Sequence, residues 1–258
     1  LTEARMWGVT PIDQMICRLR FRQSRYEGIY TPQGVSPAIM FPGSLGAVDW
    51  GGVSVDPDHG LLVVNSSAVP YRSNLIPRAE APAKFQAIQR ISINGKPAGA
   101  DNSWHPQIGT PFVARTRPFL GPLDVPCTAP PWGRLHAFDL KSGRKLWERP
   151  IGTGEDSGPK GIPSRLPILM GVPNVGGTLV TRGGLIFNGA TLDRYLRAYD
   201  IRSGQQLWQA RLPAGGQATP MTYLSPSGRQ VVVISAGGHP GLRTKSGDYL
   251  VAFALPRK

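Results

Sequence analysis

Short runs of β-branched, aromatic and aliphatic residues recur along this chain, each closed by Gly, Pro, Asp or Ser. Such a pattern predicts strands joined by tight turns. Residues 177–181, 185–188, 195–199 and 206–209 form four such runs in succession. Residues 52–55 and 61–64 flank the stretch Asp-Pro-Asp-His-Gly at 56–60, which reads as a turn. A last set comprises 219–223, 230–234 and 249–253. Asn65, after the run 61–64, opens a polar Asn-Ser-Ser stretch that reads as the start of a loop.

A repeat ties these runs together. Residues 137–147 and 198–208 both fit A-x-D-x-x-x-G-x-x-x-W, which aligns Ala137, Asp139, Gly143 and Trp147 with Ala198, Asp200, Gly204 and Trp208. The residues read as a hairpin: the Asp accepts from turn amides, the Gly supplies a positive φ, and the Trp docks on a neighbouring sheet. These eight positions are expected to build the fold and to do no chemistry. Four-stranded units that repeat in sequence predict an all-β fold, a β-propeller whose blades bury their faces by stacking. About three blades are visible, too few to close a ring. A lead-in segment covers 1–47. A blade follows over 48–150, with a long Pro- and Gly-rich insertion at 66–132. A second blade covers 151–212, and a last, incomplete one 213–258.

Composition narrows the picture. Gly 32 and Pro 26 argue against a helix bundle. No apolar run is long enough to span a membrane. The chain opens Leu-Thr-Glu-Ala, which reads as a processed piece or a fragment. The net charge is +13. The positive residues are scattered, and Arg18, Arg20, Arg22 and Arg25 mix with apolar ones, with no RNA-binding or helix-turn-helix signature. Nucleic acid is therefore not expected as a partner; a basic rim near an anionic membrane surface fits better. Cys17 and Cys127 lack metal-ligand spacing, so they are either a disulfide or two buried thiols.

Beyond the repeat, further segments carry a resemblance: 6–8 (Met-Trp-Gly), 13–18 (Asp-Gln-Met-Ile-Cys-Arg), 41–46 (Phe-Pro-Gly-Ser-Leu-Gly), 49–56 (Asp-Trp-Gly-Gly-Val-Ser-Val-Asp), 212–223 and 234–239 (Ile-Ser-Ala-Gly-Gly-His). Together they resemble the membrane-bound glucose/quinate/shikimate branch of the pyrroloquinoline quinone (PQQ) dehydrogenases, over nearly the whole chain. The resemblance implies an eight-bladed propeller, of which this chain matches about the C-terminal third. It implies PQQ and a divalent cation, Ca²⁺ or Mg²⁺, as cofactors, and oxidation of a sugar or polyol, D-glucose to gluconolactone foremost. It also implies ubiquinone as electron acceptor, through a membrane anchor, at the periplasmic face of the bacterial inner membrane. An exported protein of this kind is expected to join Cys17 to Cys127.

The family's catalytic base and its cation ligands are expected upstream, so no catalytic or metal residue is assigned here and this length alone is expected to be inactive. Asn65 matches a family Asn near PQQ. Asp49 and Trp50 stand where related alcohol dehydrogenases carry Asn-Trp against the cofactor, so Trp50 is either a cofactor contact or plain core. Gly238 lets the backbone come close to a ligand, and His239 is expected at the substrate mouth. Arg72 and Arg78 suit the cofactor's carboxylates, whereas His59, His105 and His136 read as structural or exposed. The alternatives are another substrate of the same family, quinate or shikimate, and a non-catalytic scaffold built on the same repeat.

Overall fold

The computed structural model describes residues 1–86, 103–107 and 109–255. Part of the insertion expected at 66–132 thus lies outside the described residues. Contacts group the chain into two units, Leu1–Ser44 with Val69–Ala129, and Leu45–Ala68 with Pro130–Lys258.

The second unit holds three antiparallel sheets. The first joins Val53–Asp56, Leu61–Ser67, Gly133–Asp139 and Lys145–Pro150 in that order. The second joins Thr178–Val180, Leu185–Asn188, Tyr195–Asp200 and Gln206–Arg211, again in order along the chain. The third has three strands, Met221–Leu224, Gln230–Ala236 and Tyr249–Phe253. Although residues 68–132 separate them, Leu61–Ser67 and Gly133–Asp139 pair without a break, from Leu61 opposite Asp139 to Ser67 opposite Gly133.

The two repeat copies fold alike. Ala137 lies opposite Trp147 and Ala198 opposite Trp208, and in both hairpins the register shifts at the next residue. Asp139 Oδ1 accepts from Ser142 N and Oγ, both at 2.6 Å. Asp200 Oδ1 accepts from Arg202 N at 3.0 Å and from Ser203 N and Oγ at 2.8 Å. Gly143 and Gly204 close the turns at φ 68° and 67°.

Docking differs between the copies. Trp147 is buried, its Nε1 donates to Ile201 O at 2.9 Å, and its ring fills the space that a Cβ on Gly204 would occupy. One repeat thus seats its indole on the turn of the next. Around it, Leu61, Val63, Leu135, Ile186 and Tyr199 form the core between the first and second sheets. Trp208 instead stays 39% exposed and meets Phe253 edge-on, with centroids 5.2 Å apart. The last strand of the third sheet carries Ala252-Phe253, followed by Ala254 where the repeat has Asp, and among the described residues Trp208 meets a ring there instead of a docking turn. Leu196, Leu212, Val232 and Ile234 form the core between the second and third sheets.

The first unit departs from the sequence expectation. Residues 1–47 and 66–132 read as a lead-in and a loop-like insertion; instead they share one sheet, ordered Ala38–Met40, Tyr71–Pro77, Phe112–Pro118, Trp104–His105. Tyr71–Pro77 and Phe112–Pro118 pair over their whole lengths. Pro and Gly around them mask the strand pattern. A helix, Pro11–Arg22, also forms. Thr10 caps it by accepting from Asp13 N at 3.1 Å, and Pro11 occupies its first turn, where no amide partner is needed. Cys17 and Cys127 form a disulfide with Cα atoms 5.4 Å apart, packed with Met6, Ile39 and Phe119.

Trp147→Ala is expected to cost about 3–5 kcal/mol, because it empties a buried site and orphans Ile201 O. Trp208→Ala is expected to cost about 1–2 kcal/mol, since that ring is only partly covered. Urea unfolding midpoints of the two variants against the parent check the order.

Candidate functional site

The site is assembled where strand ends of the three sheets in the second unit meet. Asn65 is not at a loop start: it sits inside Leu61–Ser67, buried, opposite Leu135. Pairing with Gly133–Asp139 extends the strand past Val64 and overrides the polar look of Asn-Ser-Ser. Asn65 Nδ2 donates to Gly176 O at 2.9 Å, whereas Oδ1 is buried with no hydrogen-bond partner.

Gly176 and Gly177 lead into the second sheet and are pressed from both sides. A Cβ on Gly51 would lie 2.1 Å from Gly177 N, and one on Gly176 would lie 2.6 Å from Gln217 O. Only glycine permits this backbone approach. It locks the Asp49–Gly52 turn against the segment that holds Asn65. Asp49 serves that turn: its Oδ1 accepts from Trp50 N at 2.7 Å, and its carbonyl accepts from Gly52 N at 2.9 Å.

From Gln217 the contacts run to His239. Gln217 is buried; its Nε2 donates to Thr191 O at 2.8 Å, and its Oε1 accepts from Thr244 Oγ1 at 2.9 Å. The same hydroxyl accepts from His239 N at 2.8 Å. Gly238, at φ 77°, brings its backbone against Lys245 O, where a Cβ would lie 2.4 Å away. His239 itself is half-buried and caps the short turn Pro240–Leu242, its Nδ1 accepting from Leu242 N at 3.2 Å. Trp50 then closes the circuit, stacking on the His239 ring at 5.3 Å between centroids and 29° between planes. Trp50 is 59% exposed and so is not plain core.

The sequence pattern of the family described as PQQ: Glucose/ethanol/alcohol dehydrogenase, beta-propeller domain, matches residues 1–232. This chain belongs to that family. It is 47% identical over 256 residues to the quinoprotein glucose dehydrogenase of Escherichia coli (strain K12), covering 99% of this chain and 31% of the relative. It is 45% identical over 261 residues to a probable quinate dehydrogenase (quinone) of Xanthomonas campestris pv. juglandis, covering 99% and 32%. It is 43% identical over 260 residues to the glycerol dehydrogenase large subunit of Gluconobacter thailandicus, covering 99% and 35%. The chain thus spans about a third of the length of the relatives it matches. A europium-containing methanol dehydrogenase shares the fold at a TM-score of 0.54 and 24% identity, over 83% of this chain and 29% of that one.

PQQ is a flat fused-ring quinone that carries carboxylates and a pyrrole N–H. Asn65 fits such a group at one atom, the buried Oδ1, which has spare accepting capacity and no protein donor. Arg72 and Arg78 do not fit. Arg72 Nε donates to Ser24 Oγ at 2.9 Å, and Arg78 is spent on the carbonyls of Pro106, Thr110 and Phe112. Their guanidiniums tie loops of the first unit together instead of offering a fork to a ligand. His59 caps its own turn on Asp56 at 2.8 Å, and His136 bonds Ser66 Oγ at 2.7 Å. Among the described residues, no group of three His, Cys, Asp or Glu side chains is placed to hold a metal ion.

Sequence reasoning missed the polar network behind the site. Asp193 and Arg197 are fully buried and paired at 2.5 Å. Asp193 also accepts from Thr153 N at 2.6 Å, Thr153 Oγ1 at 2.8 Å and Thr191 Oγ1 at 2.6 Å. Thr191 is the residue whose carbonyl holds Gln217, so this network underpins the circuit that leads to His239. Burial pushes the Asp193 carboxyl up, but hydrogen bonds from Arg197, its charge, and the Thr191 and Thr153 donors outweigh that and hold it below the usual carboxylate range. A carboxyl with a lowered folded pKa stabilises the fold above its unfolded pKa, near 3.9, and loses that contribution as pH falls through the folded value. Stability is therefore expected to fall below about pH 4. Asp193→Asn should cost about 3–5 kcal/mol at neutral pH by stranding Arg197, and should flatten that acid slope. Denaturant titrations between pH 3 and 7 measure both.

Proposed function

We propose that the whole protein is a PQQ-dependent dehydrogenase that oxidises a hydroxyl of a sugar or polyol, D-glucose to gluconolactone foremost. Ubiquinone is its acceptor and the periplasmic face of the bacterial inner membrane its location. The relatives named for glucose, quinate and glycerol support the substrate class. The Cys17–Cys127 disulfide supports an oxidising compartment. The observation that carries the reading is the single contact circuit linking a buried, unpartnered acceptor on Asn65 to the half-buried ring of His239.

When bound, PQQ would supply the two-electron acceptor, and the divalent cation, Ca²⁺ or Mg²⁺, would be held by residues outside this chain. This chain's residues bind and orient. Asn65 offers Oδ1 to a donor on the cofactor while its amide nitrogen stays anchored on Gly176. The packed glycines fix the backbone of the Asp49–Gly52 turn that carries Trp50. His239 meets the substrate hydroxyls. No residue of this chain is assigned as the base.

A dye-linked assay of the full protein with PQQ and Ca²⁺ or Mg²⁺ tests the reading, with glucose, quinate, shikimate and glycerol offered in parallel. PQQ-dependent turnover of one of them is expected. Neither turnover nor PQQ binding would overturn it and favour a scaffold. His239→Ala is expected to raise KM for the substrate about three- to tenfold, the loss of one hydrogen bond, with a smaller change in PQQ affinity.

A further inference from the structure

Resting on that reading of His239, we infer that Trp50 is a positioning residue that holds the His239 ring as a hydrogen-bond donor toward substrate. The two side chains are far apart in sequence and are joined by a stack at 5.3 Å and 29°. Three restraints act on the histidine together. Its backbone N–H is held by Thr244 Oγ1 at 2.8 Å. Its Nδ1 accepts from Leu242 N at 3.2 Å, an N–H that also reaches the His239 carbonyl at 3.2 Å. Its ring face is covered by the indole of Trp50.

The second restraint decides the tautomer. A ring nitrogen that accepts from a backbone N–H carries no proton, so in the neutral ring the proton sits on Nε2. His239 then presents an N–H to a hydroxyl oxygen; it does not present a lone pair to a hydroxyl proton. A ring flip would break the Leu242 bond, and the stack with Trp50 opposes swinging out. Trp50 is 59% exposed, so it contributes little to the core, and its role in this site is to fix its neighbour. The role expected for Trp50 from the family pattern, contact with the cofactor, is distinct from this one and gives a different result below.

Two readouts on the full-length protein test this. The first is diethyl pyrocarbonate labelling of His239, quantified by mass spectrometry against the exposed His105, with no cofactor or substrate present. The reagent needs an unprotonated ring nitrogen with a free lone pair, so Trp50→Ala should speed labelling at His239 about three- to tenfold by loosening the Leu242 bond. Trp50→Phe, which keeps a stacking ring, should restore the slow rate. Equal rates in the parent and Trp50→Ala would overturn the inference whether or not the enzyme turns over.

The second readout is kinetic. Trp50→Ala should raise substrate KM as far as His239→Ala does with kcat within about twofold, and the double variant should be no worse than either single one. His239→Gln, which keeps a donor, should recover most of the affinity. Multiplicative effects in the double variant would overturn the inference. So would a rise in the PQQ concentration needed for reconstitution of Trp50→Ala, or a hundredfold loss of kcat in His239→Gln. Absence of any turnover in the parent would instead count against the proposed function, and the labelling result would still decide the role of Trp50.

Discussion

The sheets of the second unit are each too small to bury their own faces, and the indole of Trp147 fixes how the first is laid on the second. Its Nε1 is bonded to Ile201 O and its ring fills the seat at Gly204. A buried Trp that satisfies its N–H on the next repeat's turn sets a distance and a direction at once, which plain apolar burial does not. Leu61, Val63, Leu135 and Ile186 then pack at a spacing already determined. The strand Leu61–Ser67 therefore ends at a defined height, with Asn65 Nδ2 bonded to Gly176 O.

The residues of the proposed site are set by what happens at those ends. Backbones approach so closely at Gly51, Gly176 and Gly177 that side chains are excluded, and the neighbouring polar groups line up in series. Gln217 and Thr244 pass the alignment on to His239, while the buried Asp193–Arg197 pair holds the Thr191 segment from behind. Such a buried, fully bonded network is sensitive to loss of any member, because each leaves a desolvated partner.

Much of this was legible in the sequence. The repeat predicted hairpins, their turn residues and the blade-like sheets, because Asp, Gly and Trp at fixed spacing have few other uses. The resemblance pointed to Asn65, Trp50 and His239, but the residues alone did not say that Trp50 stacks on His239, since such a pairing has no period. Asn65 looked like a loop residue because Asn is poor in strands; cross-strand pairing overrode that preference. Asp193 and Arg197 are four apart, a spacing that speaks for a helix. Here the chain instead turns between them through Arg194 at φ 52°. The helix Pro11–Arg22 has no counterpart in the strand-and-turn pattern; Thr10, Pro11 and Asp13 form its first turn.

The claim on which the rest hangs is that the unpartnered Oδ1 of Asn65 faces the cofactor. The most direct measurement is a titration of the full protein with PQQ, followed by tryptophan fluorescence, for the parent and for Asn65→Ala. The account predicts that the PQQ concentration at half-saturation rises about tenfold in the variant, the loss of one buried hydrogen bond. Identical binding curves, with both proteins equally folded, would contradict it.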